Sequence, residues 1–317
     1  MNEKAPMRPA AGATDGQGGA RGQSAFLLQL GRPLRGLGLL LRELALTRYG
    51  PAGLGLLGLL LLIAVLAPWI SPFDPLRQVG QSLMPPSFVH PMGTDNIGRD
   101  LLSLVLHGTR ASLAIGFCAA LAALLVGGTV GILAGYWRGL TEAVLMRLAE
   151  LFQTLPVIIV VLFAIALFGS SFWLLIVAVG LAIWPLEARV IYGQFVHLRE
   201  REFVAAAVVA DLSTSHIILR EILPNALPPV IVQVALDASL AILIESGLGF
   251  LGLSDPNMIS WGQLLFAAQD FLNSAWWMSV FPGMAICVAI IALNLIADGL
   301  NEVVNPRSVQ ASPGLAG

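Results

Sequence analysis

Six apolar runs, each close to the length that a helix needs to cross a bilayer, constrain this chain more than any other feature. About 20 residues are needed to span the hydrocarbon core. In lipid every backbone polar group must be bonded within the protein, so long apolar runs predict helices. We therefore predict an all-α, polytopic membrane protein with six transmembrane helices. The predicted spans are Gly50 to Ile70, Ala111 to Tyr136, Leu148 to Phe168, Phe172 to Ile191, Leu227 to Gly252 and Met278 to Leu300.

Composition agrees with a membrane protein. Only 11% of the 317 residues are charged, whereas soluble domains carry about a quarter, and 57% are hydrophobic. Cys118 and Cys287 both fall inside predicted spans, so we expect them to be buried in apolar packing rather than paired. The four histidines lack ligand spacing. No metal site and no nucleic-acid partner are predicted.

The distribution of arginine predicts the orientation. Arg32, Arg35, Arg42 and Arg48 precede the first span, which places the N-terminus in the cytoplasm. The segment 253–277 contains two aspartates and no lysine or arginine, which predicts an outside loop. The resulting organisation is a partly disordered cytoplasmic tail (1–48), a transmembrane domain (49–307) and a cytoplasmic C-terminal tail (308–317). Within the domain, 71–110 and 253–277 are predicted to be periplasmic and 192–226 cytoplasmic.

An amphipathic segment, Glu202 to Asn225, interrupts the apolar sequence on the cytoplasmic side. It predicts one helix from Glu202 to Ala210, a polar turn, and a second helix that Pro224 stops. Ser213 or Asp211 is placed to cap the second helix. Such a hairpin has too little apolar surface to fold alone, so it must pack on the membrane helices and on another protein.

This segment resembles the "EAA" loop of ABC-importer permease subunits, which docks into a groove on a cytoplasmic ATPase. Two positions depart from the motif: Ala205 stands where the motif has glutamate, and Asp211 where it has the turn glycine. Aspartate tolerates positive φ, so the turn is expected to survive, whereas the lost glutamate removes a charge from the docking surface. The matching residues also include Phe203, Ile222 and Leu223. The resemblance implies these ATPase-coupling residues: Glu202, Ala206, Ala207, Asp211, Ser213, Ile217, Arg220, Glu221, Pro224 and Asn225.

A second motif, His90-Pro91-Met92-Gly93-Thr94-Asp95-Asn96-Ile97-Gly98-Arg99-Asp100, resembles the "HPLGTDxxGRD" signature of the peptide and nickel branch of these permeases. A short amphipathic helix ending near Gly108 is predicted to follow it. The alternative is a surface loop whose charges pair locally and take no part in transport. The periplasmic signature residues implied are Gly93, Thr94, Asp95, Gly98, Arg99 and Asp100.

Further matches extend the resemblance from about Gly50 to Arg307, through Gly249-Phe250-Leu251-Gly252-Leu253, Ser260-Trp261-Gly262 and Asn294 to Leu300. The chain resembles the C-type permease subunits of dipeptide, oligopeptide and nickel importers. This implies the type I importer permease fold, a bacterial inner-membrane location and four kinds of contact: a second homologous permease, two cytoplasmic ATPases, a periplasmic solute-binding protein and lipid. Dipeptides, oligopeptides, nickel chelates, glutathione and opines all remain possible solutes.

The chain has no loop that could bind ATP in the usual way. A P-loop ends in Gly-Lys-Ser/Thr, and Lys4 in the N-terminal tail is the only lysine. We expect ATP and Mg²⁺ on partner ATPases, no cofactor on this chain and no enzymatic activity of its own. The Gly-x-Ser-x-Gly elbow of serine hydrolases is also missing around Ser246.

Two carboxyl groups inside the fifth span are candidates for the translocation pathway. A charge at the bilayer centre costs at least about 2.5 kcal/mol, so Asp237 and Glu245 need a reason to be there. They lie two turns apart and share a helix face. The alternative is that each is protonated or hydrogen-bonded to a neighbouring helix; Glu245 fits that structural role better. Asp237 also defines a rival function, an ion- or proton-coupled secondary transporter; a non-transporting scaffold is a third.

Two patterns bear on helix packing. Pro156, Pro185 and Pro282 lie in or beside spans and predict kinks, which are either hinges or fixed bends. The small-residue repeat Gly127-x-x-x-Gly131-x-x-x-Gly135 predicts that another helix approaches closely, without saying which.

Overall fold

The structure is a computed structural model that describes Gly38 and residues 41–304. Of the predicted tails, residues 1–37, 39–40 and 308–317 lie outside the described residues, and so does the matched sequence Asn305-Pro306-Arg307. The chain divides after Arg42, and the unit that starts at Glu43 contains all the helices named here. In order they are α1 (Gly50–Ile70), α2 (Leu101–Trp137), α3 (Leu140–Thr154), α4 (Val157–Phe168), α5 (Phe172–Arg199), α6 (Glu202–Val209), α7 (Thr214–His216), a π-helical turn (Ile217–Ile222), α8 (Leu223–Phe250), α9 (Trp261–Ala268), a 3₁₀ turn (Gln269–Phe271) and α10 (Trp277–Val304).

The all-α prediction is confirmed for the described residues, whose extended pairing is limited to the bridges Gln78–Arg99 and Thr94–Asp100. In the part of the chain that the structure describes, five helices are long and apolar enough to cross a membrane, and there are six spans if α3 and α4 together count as one. The first span has the predicted bounds. The second helix begins at Leu101, so the expected short helix and the span are one continuous helix of 37 residues. It therefore starts inside the predicted 71–110 loop.

The predicted span Leu148 to Phe168 is wrong as a single helix. It consists of parts of α3 and α4, whose axes differ by 85°. The cause is Pro156, which has no N–H and keeps Leu155 out of the helical region, at ψ 130°. At 1.5 Å per residue α4 is only about 18 Å long, so it cannot cross the hydrocarbon core alone. Pro185 and Pro282, by contrast, lie inside helices that continue past them.

The prediction that Pro224 stops the second helix of the hairpin is also wrong. One apolar helix runs from Thr214 to Phe250, with the π-helical turn inside it. In this turn the Leu223 N–H bonds to the Ile218 carbonyl, five residues back. The wider turn moves the carbonyl that a proline ring would otherwise strike, so Pro224 fits in the first turn of α8. The second arm of the hairpin is therefore the end of a membrane helix.

The glycine repeat of α2 packs against α5. A Cβ on Gly131 would lie 2.6 Å from the Ala188 carbonyl oxygen and 2.9 Å from the Ile191 Cβ, and one on Gly135 would lie 2.5 Å from the Phe195 Cβ. Such contacts are possible only without side chains. The predicted close approach of another helix is thus confirmed, and that helix is α5.

Three apolar clusters hold the unit together. One joins α1, α2, α8, α9 and α10; a second joins α2, α4, α5 and α8; a third packs the hairpin on the ends of α5 and α8. Cys118 and Cys287 are free and exposed, so the expectation of buried cysteines is wrong. They lie on helix faces turned away from the bundle, where a small thiol is compatible with lipid.

The tight α2–α5 contact predicts that two Gly→Ala changes differ in their effect on thermal stability. Gly131→Ala should lower the apparent melting temperature of the detergent-solubilised chain by several degrees, because overpacking costs about 1–3 kcal/mol. Gly58→Ala is the control: Gly58 is exposed on α1 and a Cβ there meets nothing within 4 Å, so it should be neutral or stabilising. A Gly131→Ala protein as stable as Gly58→Ala would contradict the close contact.

Candidate functional site

The turn of the hairpin forms as the sequence predicts, with aspartate in the position of glycine. Asp211 has a φ of 55°. Its N–H bonds to the Val208 carbonyl at 3.0 Å, and the next N–H, of Leu212, bonds to the Ala207 carbonyl at 3.2 Å. Ser213 then caps α7 by accepting from the N–H of His216. Aspartate is among the few residues that adopt this conformation at modest cost, which explains why the turn persists.

The hairpin has a buried and an exposed face. Val204 and Ala207 of α6, with Ile217, Ile218 and Ile222 of the π-helical turn, pack on Ile191, Phe195, Ala226 and Val230 of the membrane helices. The opposite face exposes apolar side chains, and Val209 is 87% exposed. We call this face the hairpin patch; its members are Phe203, Val208, Val209, Leu212 and Leu219. Exposed apolar surface of this kind marks an interaction site.

The sequence-predicted coupling residues are divided between these faces. Ala207 and Ile217 are buried and fix the hairpin to the bundle, whereas Glu221, Pro224 and Asn225 are half-buried. The Asn225 side chain donates to the Glu221 carbonyl at 2.6 Å, next to Pro224, which has no backbone N–H to donate. The exposed members are Glu202, Ala206, Asp211, Ser213 and Arg220.

At the other end of the bundle, the signature loop is built around Asp100. This buried carboxylate caps α2 by accepting from the Ser103 N–H at 2.9 Å and from its hydroxyl at 2.7 Å. Its other oxygen pairs with His90 Nδ1 at 2.9 Å. His90 in turn stacks on Phe73, with ring centroids 5.2 Å apart. One carboxylate thus joins the loop to the start of a membrane helix.

The remaining signature residues are also engaged within the chain. Asp95 accepts from the Arg99 guanidinium at 2.7 Å, and the Thr94 carbonyl accepts from Trp277 Nε1 at 3.1 Å. Gly93 and Gly98 have φ near 80°, which favours glycine. The Asp95–Arg99 pair is the local charge pairing that the surface-loop alternative expects. The bond between Trp277 and Thr94 fastens the loop to α10.

The two predicted pathway carboxyls have different surroundings. Glu245 is completely buried among hydroxyl groups: Ser112 and Ser254 donate to its two oxygens at 3.4 Å. Asp237 is 1% exposed, and only its Oδ1 has a hydrogen bond, from Gln233 at 2.8 Å. Glu245 therefore links α2, α8 and the loop before α9, as expected of a structural residue, whereas among the described residues the only other partner of Asp237 is the carboxyl of Glu187.

A third buried carboxyl, Glu187 of α5, escaped the sequence analysis. It lies beside Asp237, is 0% exposed, and has the Asp237 carboxyl as its hydrogen-bond partner, with no other donor of the described residues at either oxygen. The sequence did contain a signal for it. Glu187 falls inside the predicted span Phe172 to Ile191, and a charge inside a span is costly there just as it is at Asp237. Sequence alone does not reveal that the two carboxyls meet, because they come from different helices.

Within the described residues, no group of three or more histidine, cysteine, aspartate or glutamate side chains could hold a metal ion. Asp237 and Glu187 form a pair, and Glu245 is separated from them along α8 among its serines.

Family comparison agrees with this geometry. Residues 127–310 match the family described as binding-protein-dependent transport system inner membrane component, and residues 48–86 match the N-terminal transmembrane domain of oligopeptide transport permease C. The chain belongs to the binding-protein-dependent transport system inner membrane component family.

Individual relatives and a solved structure support the assignment. The chain is 35% identical over 272 residues to the dipeptide transport system permease protein DppC of Bacillus subtilis, covering 84% of each chain. It is 34% identical to the oligopeptide transport system permease protein OppC of Haemophilus influenzae, covering 81% of this chain and 84% of that one. An inward-facing structure of the MetNI methionine ABC transporter shares the fold, with a TM-score of 0.54 at 17% identity, over 65% of this chain and 97% of that one.

The chain is thus an inner-membrane permease subunit of an ABC importer, with the importer permease fold. Such subunits are membrane transport components that work with an ATPase and a substrate-binding protein. No finding favours the proton-coupled alternative built on Asp237.

The role of Asp100 predicts a large effect of its removal. Asp100→Ala takes away the cap of α2 and leaves buried His90 and Ser103 without their acceptor, so the free energy of unfolding should fall by about 2 kcal/mol or more. The control is Asp74→Ala, which removes an exposed turn carboxylate that accepts from Leu76 N–H at 2.9 Å. Thermal unfolding in detergent measures both. Equal melting temperatures for the two variants would refute the role given to Asp100.

Proposed function

We propose that this subunit pairs with a second, homologous permease and is driven through its hairpin by two cytoplasmic ATPases that hold the ATP and Mg²⁺. The observation that carries the proposal is the hairpin patch at the end of a helix that continues into the membrane. An apolar, preformed surface on a two-armed projection suits insertion into a groove of a partner protein. This chain itself then needs no cofactor.

The proposed orientation puts the hairpin and both termini in the cytoplasm. Arginines cluster at that end of the bundle, where Arg138 pairs with Glu200 at 3.0 Å and Arg199 stacks on Tyr136. The loop 71–100 and the segment 253–277 lie at the opposite end, where Phe172 N–H donates to Asp255. The positive-inside rule supports this assignment. The solute-binding protein then delivers its ligand to the end that carries the signature loop.

The mechanism follows from the continuity of the second arm. From Thr214 to Phe250 the helix has 37 residues, about 55 Å, which is nearly twice the hydrocarbon thickness. Movement of the hairpin by the ATPases therefore displaces the cytoplasmic part of the helix that contains Asp237. The third apolar cluster attaches the end of α5 to the same hairpin, so α5 and α8 move together. Rigid-body motion of this kind opens the pathway to alternate sides.

We propose peptides as the solute class. The support is the agreement among relatives, which include transport permeases named for dipeptides, for di- and tripeptides and for oligopeptides. Selectivity for a particular peptide is expected to lie largely in the binding protein. Uptake of short peptides by the reconstituted importer tests this proposal directly.

Coupling through the second arm is tested by charge removal. Arg220→Ala combined with Glu221→Ala should reduce ATP-dependent uptake at least about fivefold while membrane insertion stays normal, because both residues lie on the docking arm. The control is Arg147→Ala with Glu150→Ala, an exposed Arg–Glu pair 3.1 Å apart on α3. Uptake and ATP hydrolysis are measured in proteoliposomes. Unchanged uptake in the hairpin variant would argue against the docking role.

The hairpin patch is tested by removing one apolar contact. Val209→Ser should weaken association with the ATPase about fivefold or more, since burial of a valine side chain contributes about 1.5–3 kcal/mol. Val144→Ser is the matched control, because Val144 is also an exposed valine but lies on α3. Co-purification over a range of ATPase concentrations gives the apparent affinity. If both variants bind the ATPase equally well, the patch is not the docking surface.

A further inference from the structure

Three oxygen atoms at one place in the membrane part of the bundle accept no hydrogen bond from the described residues, apart from the bond between the two carboxyls themselves. They are both carboxyl oxygens of Glu187 and Oδ2 of Asp237. Both side chains are essentially inaccessible, at 0% and 1% exposure. Buried polar groups are nearly always hydrogen-bonded, so two carboxyls that meet between two helices and share a proton with each other indicate a site for a donor that comes from elsewhere.

No positive charge of the described chain offsets these carboxyls. The neighbours that act electrostatically on the pair are the two carboxyls themselves and Gln233. Arg189, two residues beyond Glu187, lines a separate cavity of about 620 Å³ with Glu142 and Glu150. Glu245 differs, because serine hydroxyls donate to both of its oxygens.

A groove of about 400 Å³ lies within one helical turn of the pair. Its walls come from the three helices that surround the carboxyls: Gly128 of α2, Ile191 of α5 and Val234 of α8 are among its lining residues. Ile191 is one turn from Glu187, Val234 is one turn from Asp237, and Gly128 follows Gly127, whose position packs on the Glu187 side chain. The lining is almost wholly apolar and contains no charged residue.

We propose that Glu187 and Asp237 form a subsite in the translocation pathway for the protonated amino group of the transported solute. A primary ammonium group has three N–H donors and can replace the proton that the two carboxyls share, because no other donor of the described residues bonds to three of their four oxygens. Its charge also compensates carboxyls that no cation of the chain offsets. The inference rests on the proposed peptide-import function and deepens it, since a peptide carries such a group at its amino terminus or on a lysine side chain.

A resident divalent metal fits the pair less well. Ca²⁺ takes six to eight oxygen ligands and Mg²⁺ requires near-octahedral geometry, whereas the pair has four carboxyl oxygens, one of which already accepts from Gln233, and Gly127 packs closely against the Glu187 side chain. An ammonium needs only directional acceptors. Because Asp237 lies on the helix that continues into the hairpin and Glu187 lies on α5, which moves with it, the pair and a bound amine would be carried along when the pathway opens to alternate sides.

The first experiment probes the pair without any peptide. The assembled importer in lipid nanodiscs is treated with dicyclohexylcarbodiimide, which modifies buried carboxyls, and mass spectrometry gives the modified fraction at each one. Methylammonium, which has three N–H donors, should lower modification of Glu187 and Asp237 at least about fivefold. Tetramethylammonium, which has none, should not, and Glu245 serves as the internal control. Equal effects of both amines, no protection, or no modification of the pair in the absence of amine would each overturn the proposal; a pair that merely shares a proton gives no protection.

The second experiment identifies the source of the amine by ATP-driven uptake into proteoliposomes. The probes are Ala-Ala, N-acetyl-Ala-Ala and N-acetyl-Ala-Lys, which carry an α-ammonium, no ammonium and a side-chain ammonium. The double variant Glu187→Gln with Asp237→Asn should slow uptake of an ammonium-bearing probe about tenfold relative to N-acetyl-Ala-Ala, and Glu245→Gln should show no such selectivity. Equal loss for all probes, or no loss, would overturn the subsite. If the wild-type importer moves none of the three, the peptide assignment fails, while the modification experiment still decides whether the pair binds an ammonium.

Discussion

The requirement that backbone groups in lipid be bonded within the protein controls the rest of this structure. It makes helices the building elements and leaves side-chain packing to decide how they associate. Between helices of similar apolarity the hydrophobic effect gives little preference, so close contact becomes decisive. The glycines of α2 provide that contact with α5. This pair forms a frame against which α8 packs, and one end of the frame supports the hairpin.

The continuity of the helix from Thr214 to Phe250 links the two ends of the subunit. A hairpin with a true break at Pro224 would be joined to the membrane by a flexible connection, and displacement of its tip would be absorbed there. The π-helical turn instead accommodates the proline while keeping the helix intact. As a result, Leu219 of the hairpin patch and the carboxyl of Asp237 belong to one continuous helix.

The buried aspartates and glutamates have different roles because their surroundings differ, although the residue types are the same. Asp100 has N–H, hydroxyl and imidazole partners and serves as a cap. Glu245 has serine hydroxyls and links helices near one end of α8. Glu187 and Asp237 have each other and Gln233 as partners, and no cation. A charge in the membrane is tolerated when its partners are supplied internally, and an acidic pair without a cation is the reason to look for a partner outside the chain.

Sequence by itself determined the all-α class, the bounds of the first span, the hairpin with its Asp211 turn and the family, because apolar length and local turn chemistry are properties of contiguous residues. It also predicted that the glycine repeat meets a helix. Only the tertiary structure decided that this helix is α5, that Pro156 breaks a span whereas Pro224 does not, and that Glu187 meets Asp237. These features depend on contacts between residues far apart in the chain, or on a backbone shift within one turn, and neither leaves a periodic pattern in the sequence.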